Sequence, residues 1–330
     1  MEKRRESVRG LKTEKLDWFL EKFYKYGLYV VFICLVLFFT SRNSNFFSFD
    51  NGRNLLQQTA SSGIAAAGIV FVMLTGGIDI SISSVMFITA VISAMLTDAG
   101  LGFGGALLVS LACGAAVGCI NGFLVAKLHI MPLIVTLAMQ YVVRGVAIGI
   151  VGIQTLFFNN EVGKFIVKTQ VAGVLPLIVF LLLVIMALGQ FLLSKTWFGK
   201  QVYAVGNNKL GAEQMGIKTT RIVFLSYVIC GALAGLAGLV SGAQVGGISP
   251  TFATGQEFII ISSVVLGGVS LFGGKGTIFP NAFLGVLIMM CIENGLVMAR
   301  TNMYAYTIVR GCVIFVAVLL DSIKNRGETR

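Results

Sequence analysis

Residues 222–240 read IVFLSYVICGALAGLAGLV, an uncharged run rich in glycine, alanine and branched apolar side chains. Its length meets the roughly 20 apolar residues that a helix needs to cross the hydrocarbon of a bilayer. Its glycines suit close helix packing where lipid offers no hydrophobic drive for association. Residues 176–188 are a second unbroken apolar run. Strands of a membrane barrel alternate apolar and polar positions, so such runs predict helices and argue against a barrel. The rest of the chain agrees: 56% of its 330 residues are hydrophobic and 12% charged, and glycine outnumbers proline 40 to 4. With a mean hydropathy of +0.90, that is more apolar surface than a soluble core can hide, and the expected class is an all-α integral membrane protein.

Ten stretches approach the length of a span if two or three are short or broken. They are residues 25–41, 54–74, 83–97, 103–126, 131–152, 172–193, 222–245, 257–272, 277–299 and 304–320. The expected organisation is a polar tail over 1–25, one transmembrane domain over 26–320 containing a long polar connection at 194–221, and a second tail over 321–330. The basic first segment lacks a small-residue cleavage site after its apolar run and reads as a retained cytoplasmic tail. Threading ten spans from there puts 127–130, 194–221, 273–276 and the final tail on the same side. That side gathers Lys195, Lys200, Lys209, Lys218 and Arg221, the most basic connection of the chain. The net charge of +11 is therefore a positive-inside signature rather than a footprint for nucleic acid. Both termini are expected to be cytoplasmic. Paired motifs, such as Leu74–Ile78 with Leu266–Val269 and Asn121–Ala126 with Asn294–Ala299, raise a two-fold internal repeat.

Between the second and third stretches lies Thr75-Gly76-Gly77-Ile78-Asp79-Ile80-Ser81. A carboxylate at membrane depth is costly unless it is paired or wet. Two readings of Asp79 stand: a cap for the helix beginning near Ser83, or irregular backbone lining a pathway. In the 194–221 connection, Gly206-Asn207-Asn208 precedes Lys209 to Met215 and then Gly216-Ile217. An asparagine start and a glycine stop predict a helix of about two turns that presents Leu210 and Met215. A stubby helix with apolar knobs and basic flanks suits docking into a partner's groove, and a solvated connector is the alternative.

Arg144, Glu293 and Arg310 fall inside apolar stretches. A salt bridge locking helices is the preferred reading, with Glu293 paired to either arginine; no run of acidic residues marks a proton relay. His129 stands alone beside Lys127. The six cysteines lack metal-ligand spacing. Leu271–Thr277 contains Gly274-Lys275, but Val269 occupies the position where a phosphate loop needs glycine, and Gly276 follows the lysine. No zinc motif, nucleophile elbow or dinucleotide fingerprint is present.

Five segments in order resemble the permease subunits of ribose-type sugar ABC importers, a family that also serves xylose, arabinose and galactosides. They are Leu74–Ser81, Ile120–Val125, Phe198–Asn208, Gly231–Gly238 and Leu266–Gly276. In the connection, Lys209, Leu210 and Gly211 stand where acidic residues or alanine are common in that family, whereas Gly206, Asn207, Asn208, Ala212, Gly216 and Ile217 fit. The resemblance implies a transport subunit of the bacterial inner membrane and not an enzyme. It implies no cofactor on this chain, with ATP and Mg held by a separate cytoplasmic ATPase. It further implies an extracytoplasmic sugar-binding protein and a second permease copy or paralogue, all surrounded by membrane lipid. Residues 206–217 would then couple the ATPase to transport. Few fixed charges along a pathway suit a neutral polyhydroxylated solute, with Asp79, Gln57, Gln58, Asn121, Gln140 and Asn294 as candidate lining groups. An ion-coupled secondary transporter is the alternative class; the chain offers it no evident ion relay.

Overall fold

The computed structural model describes residues 27–158, 161–171, 173, 175–302, 308–313, 315, 318, 319 and 322. The apolar runs form helices: α1 (Gly27–Arg42), α2 (Phe49–Leu74), α3 (Ile82–Asp98), α4 (Phe103–Ala126), α5 (Pro132–Val151), α6 (Glu161–Lys168), α7 (Leu177–Lys195), α8 (Trp197–Asn207), α9 (Lys209–Gln214), α10 (Thr219–Val245), α11 (Gln256–Leu266) and α12 (Phe283–Met298). Two tiny antiparallel pairs accompany them. Strand β1 (Leu156–Phe157), β2 (Gln170–Val171), β3 (Leu175–Pro176) and β4 (Gly247–Ile248) pair as β1 with β4 and β2 with β3.

Among the described residues, six helical stretches are long and apolar enough to cross a membrane: α2, α4, α5, α7, α10 and the segment Ile278–Met298, which is kinked at Phe279 ahead of α12. Helices α1, α3 and α11 are apolar but shorter. The expected tails, and much of the stretch 304–320, lie outside the described residues.

Helices α2 and α10 form the centre, buried along most of their length, while α4 and α5 are buried along little of theirs. Large apolar side chains such as Leu108, Phe123, Tyr141, Val142, Leu188 and Phe191 face outward from α4, α5 and α7. In a bilayer that surface is where lipid belongs. The contact of α4 with α10 shows what the glycines do. A Cβ added at Gly114 would overlap Gly231 O, and one at Gly231 would overlap Gly114 O. Only two side-chain-free faces bring these backbones so close.

Three boundaries differ from the sequence expectation. The 172–193 stretch starts as a hairpin and becomes helical only at Leu177. The 194–221 connection holds a second helix, α8, of eleven residues ahead of the short one. The stretch 257–272 is helical only to Leu266; at that point Gly268, with φ of 92°, turns the chain. Val269, Leu271 and Phe272 keep the hydropathy high in a turn that hydropathy cannot tell from a helix. The chain re-enters a helix where Gln190 of α7 accepts from the free backbone N–H groups of Ile278 and Phe279, at 3.0 and 3.1 Å.

Candidate functional site

Helix α9 is a six-residue element held at both ends by its own chain. Asn208 accepts from the Gly211 N–H at 3.0 Å. At the far end Gly216, with φ of 80°, donates to Glu213 O at 2.9 Å while Ile217 donates to Ala212 O at 3.0 Å. These two bonds make a Schellman stop. Thr219 also donates to Glu213 Oε1 at 2.6 Å, tying the stop to the start of α10. Ala212 is buried beneath, whereas Leu210 and Met215 are 72% and 84% exposed. Lys209 and Asn207 also face outward. Two large apolar side chains are thus held in the open on a short segment capped at both ends.

Immediately behind α9, three segments far apart in sequence meet backbone to backbone. Gly274 donates its N–H to Leu74 O at 3.0 Å, joining the end of α2 to the turn after α11. A Cβ at Gly206 would overlap Leu74 O and stand 2.5 Å from Gly274 N. Tyr203 on α8 donates to Gly276 O at 2.7 Å. Burial pushes the Tyr203 phenol above its ordinary pKa, so it keeps the proton it donates.

The end of α2 leads into the broken segment 75–81. Gly76 donates to Met73 O at 2.9 Å and Gly77 to Val72 O at 3.1 Å, another Schellman stop. Beyond it Asp79, 2% exposed, accepts from both the backbone N–H and the hydroxyl of Ser81, at 2.9 and 2.6 Å. Asp79 thus sets the turn ahead of α3, not a cap near Ser83. Asn121 of α4 donates to Ser81 Oγ at 2.9 Å, and its Oδ1 is buried without a partner. Tyr227 of α10 donates to Ile78 O at 3.2 Å.

The remaining polar candidates are not gathered into one site. Gln57 and Gln58 line a cleft of about 210 Å³ with Asn54, Gln244, Val167 and Ile178, and Gln244 donates to Gln57 O at 2.6 Å. Gln140 of α5 instead donates to the buried Glu257 at 3.0 Å. Arg144 reaches Pro250 O, Phe252 O and Thr254 Oγ1 at 3.3, 3.2 and 3.0 Å, and lies over the Phe87 ring. Arg310 is the arginine paired with Glu293, at 2.7 Å. Asn294 is buried on α12 with its Oδ1 unpartnered. Gln244, Glu257, Tyr203 and Tyr227 were not singled out in the sequence. Gln244 and Glu257 carried the signal of a polar group in or beside an apolar run; the two tyrosines carried none, because tyrosine is ordinary in such runs. A larger open groove of about 620 Å³ along α6 and Phe103 touches none of the predicted residues. Among the described residues no cluster of His, Cys, Asp or Glu is fit to hold a metal.

The chain is a multi-pass helical membrane bundle with a glycine-packed centre and a capped short helix on its longest polar connection. Residues 53–318 match the family described as branched-chain amino acid transport system / permease component, and the chain belongs to that family. It is 33% identical to the ribose import permease protein RbsC of Escherichia coli K12 over 97% of this chain and 99% of the relative. The identity to RbsC of Bacillus subtilis is also 33%, over 96% of this chain and 100% of the relative. With the D-allose transport system permease protein AlsC of E. coli K12 it is 32%, over 92% and 93%. No solved structure matches the chain. The chain is accordingly a transport component and not an enzyme.

Proposed function

We propose that this chain is the membrane-spanning subunit of a bacterial ABC importer that moves a monosaccharide across the inner membrane. The observation that carries the reading is the relation, over nearly the whole chain, to permeases named for ribose and allose. The family's description mentions branched-chain amino acids, and the chemistry of the cleft favours the sugar. An amino acid brings a carboxylate and an ammonium that need counter-charges out of water. Asn54, Gln57, Gln58 and Gln244 offer only carboxamides, which donate and accept to hydroxyls without charge. The solute would pass this cleft after delivery by an extracytoplasmic binding protein, and Asp79 and Asn121 would shape the inner part of the route.

In this reading α9 faces the cytoplasm and docks in a separate ATPase, where ATP and Mg are bound. Its differential contact with the open and closed ATPase would shift the permease between outward- and inward-facing states. A second permease copy or paralogue completes the assembly. Ten spans, with both termini inside, are supported by the six long and three shorter apolar helices together with the apolar stretch 304–320. The internal repeat has local support only. Gly268 donates to Val265 O and Val269 to Val264 O as Gly76 and Gly77 do to Met73 O and Val72 O. One whole helix, α3, separates the Gly76–Gly77 turn from α4, which carries Asn121, whereas only the short segment Ile278–Ala282 separates the Gly268 turn from α12, which carries Asn294, so a duplication would not be helix for helix.

The test is purification of the tagged permease in mild detergent from its native membrane, followed by uptake of labelled pentoses and hexoses in vesicles. Recovery of an ATPase with a phosphate-binding loop and uptake that requires ATP are expected. Uptake driven by an ion gradient in vesicles free of ATP would sink the importer reading. Transport of leucine but no monosaccharide would overturn the sugar assignment alone.

A further inference from the structure

We infer that Gly206, Gly273 and Gly274, together with Tyr203, are positioning residues that tie the movement of α9 to the break between α2 and α3. This rests on the reading of α9 as the ATPase-docking element. Asn208 is at once the last cap of α8 and the first cap of α9. Force on α9 therefore reaches the end of α8 across a single residue.

At that end the contacts have no slack. Gly206 rests on Leu74 O and Gly274 N, and a Cβ at Gly273 would come within 2.9 Å of Gly76 N and 3.1 Å of Gly206 O. Gly273 and Gly274 hold φ of 92° and 72°, which side-chain-bearing residues rarely adopt. Side chains between two elements absorb a small shift by changing rotamer, but backbone in van der Waals contact with backbone must move with it. The Tyr203 hydroxyl on Gly276 O fastens the other end of the turn. Displacement then passes through Leu74 to Gly76 and Ile78, where Tyr227 grips the carbonyl, and on to Asp79, Ser81 and Asn121. The irregular segment between α2 and α3 is thus driven from the connection by contiguous backbone contacts, and the turn after α11 moves with it.

The experiment uses the complete complex of permease, ATPase and binding protein in proteoliposomes, with ATP hydrolysis and sugar uptake measured in the same preparation. A purely structural lesion lowers both in proportion to the folded complex, so the decisive quantity is ATP hydrolysed per sugar delivered. Tyr203→Phe removes one hydrogen bond without adding bulk, and is expected to raise that ratio about fivefold, the worth of a typical buried hydrogen bond. Gly206→Ala, which pushes the backbones apart, is expected to raise it further while the ATPase still copurifies. An unchanged ratio in Tyr203→Phe, with both rates intact or falling together, overturns the inference whatever Gly206→Ala does. Leu210→Asp and Met215→Asp report on the docking reading separately. Each should release the ATPase, and if both retain it with normal transport, the docking reading and the inference fall together.

Discussion

Asp79 and Asn121 are joined through a single hydroxyl. Ser81 Oγ donates to Asp79 Oδ1 at 2.6 Å and accepts from Asn121 Nδ2 at 2.9 Å. This bridge fastens the irregular segment before α3 to the middle of the bundle, since Asp79 and Asn121 are both buried. Asp79→Asn preserves an acceptor for Ser81, whereas Asp79→Leu strands the Ser81 donors at a cost of about 1–3 kcal/mol. Thermal unfolding in detergent, followed by size-exclusion chromatography, is expected to place Asp79→Asn near the parent and Asp79→Leu well below it. Equal losses in the two variants would show that the charge, not the acceptor, is what the segment requires.

The α4–α10 contact makes a sharper distinction among glycines. Gly114→Ala forces a methyl into Gly231 O and is expected to cost about 1–3 kcal/mol through overpacking. Gly149→Ala on α5 meets nothing within 4 Å and should instead gain about 0.5–1 kcal/mol, because alanine restricts the unfolded chain and favours helix. Melting temperatures of the two variants should shift in opposite directions. A fall for Gly149→Ala would mean that another chain covers that face of α5.

Gly216 has open space around the position of its missing Cβ and a φ of 80°. Its requirement is therefore conformational, not steric. Gly216→Asn is expected to transport nearly as well as the parent, since asparagine tolerates the left-handed region. Gly216→Val should undo the stop of α9 and lower uptake at least about tenfold while leaving membrane insertion intact. Uptake at parental levels in Gly216→Val would remove α9 from the coupling route.

Arg144 holds three acceptors of the 250–254 loop with one planar group. Lysine keeps the charge but cannot reproduce the fork. Arg144→Lys is expected to loosen the loop, read as faster maleimide labelling of a cysteine introduced at Ser249. Labelling at the parental rate would assign the loop's order to its backbone contacts alone.

How far the sequence could be read follows from the range of the forces involved. The membrane class, most helices, the start of α9 at one of the two asparagines Asn207 and Asn208, and its stop at Gly216 were legible, because span length, capping and left-handed turns depend on residues a few positions apart. The end of α11 was not, since Val269 and Leu271 are as apolar in a turn as in a helix.

The polar candidates show the same division. That Glu293 would seek an arginine is local chemistry, but its pairing with Arg310 while Arg144 grips a loop depends on which helices are neighbours. Leu74, Gly206 and Gly274 sit in three apparently separate motifs, and nothing within any one of them names the others. Sequence alone determined that this chain lives in a bilayer as packed helices, because transfer of apolar residues and satisfaction of backbone groups are decided within each segment. Only the tertiary structure decided that those motifs form one junction, and that Gln57 and Gln58 share a cleft with Gln244 but not with Gln140. Such contacts arise from packing between helices far apart in the chain, where glycine lets backbones touch and leaves no side chain to announce the partner.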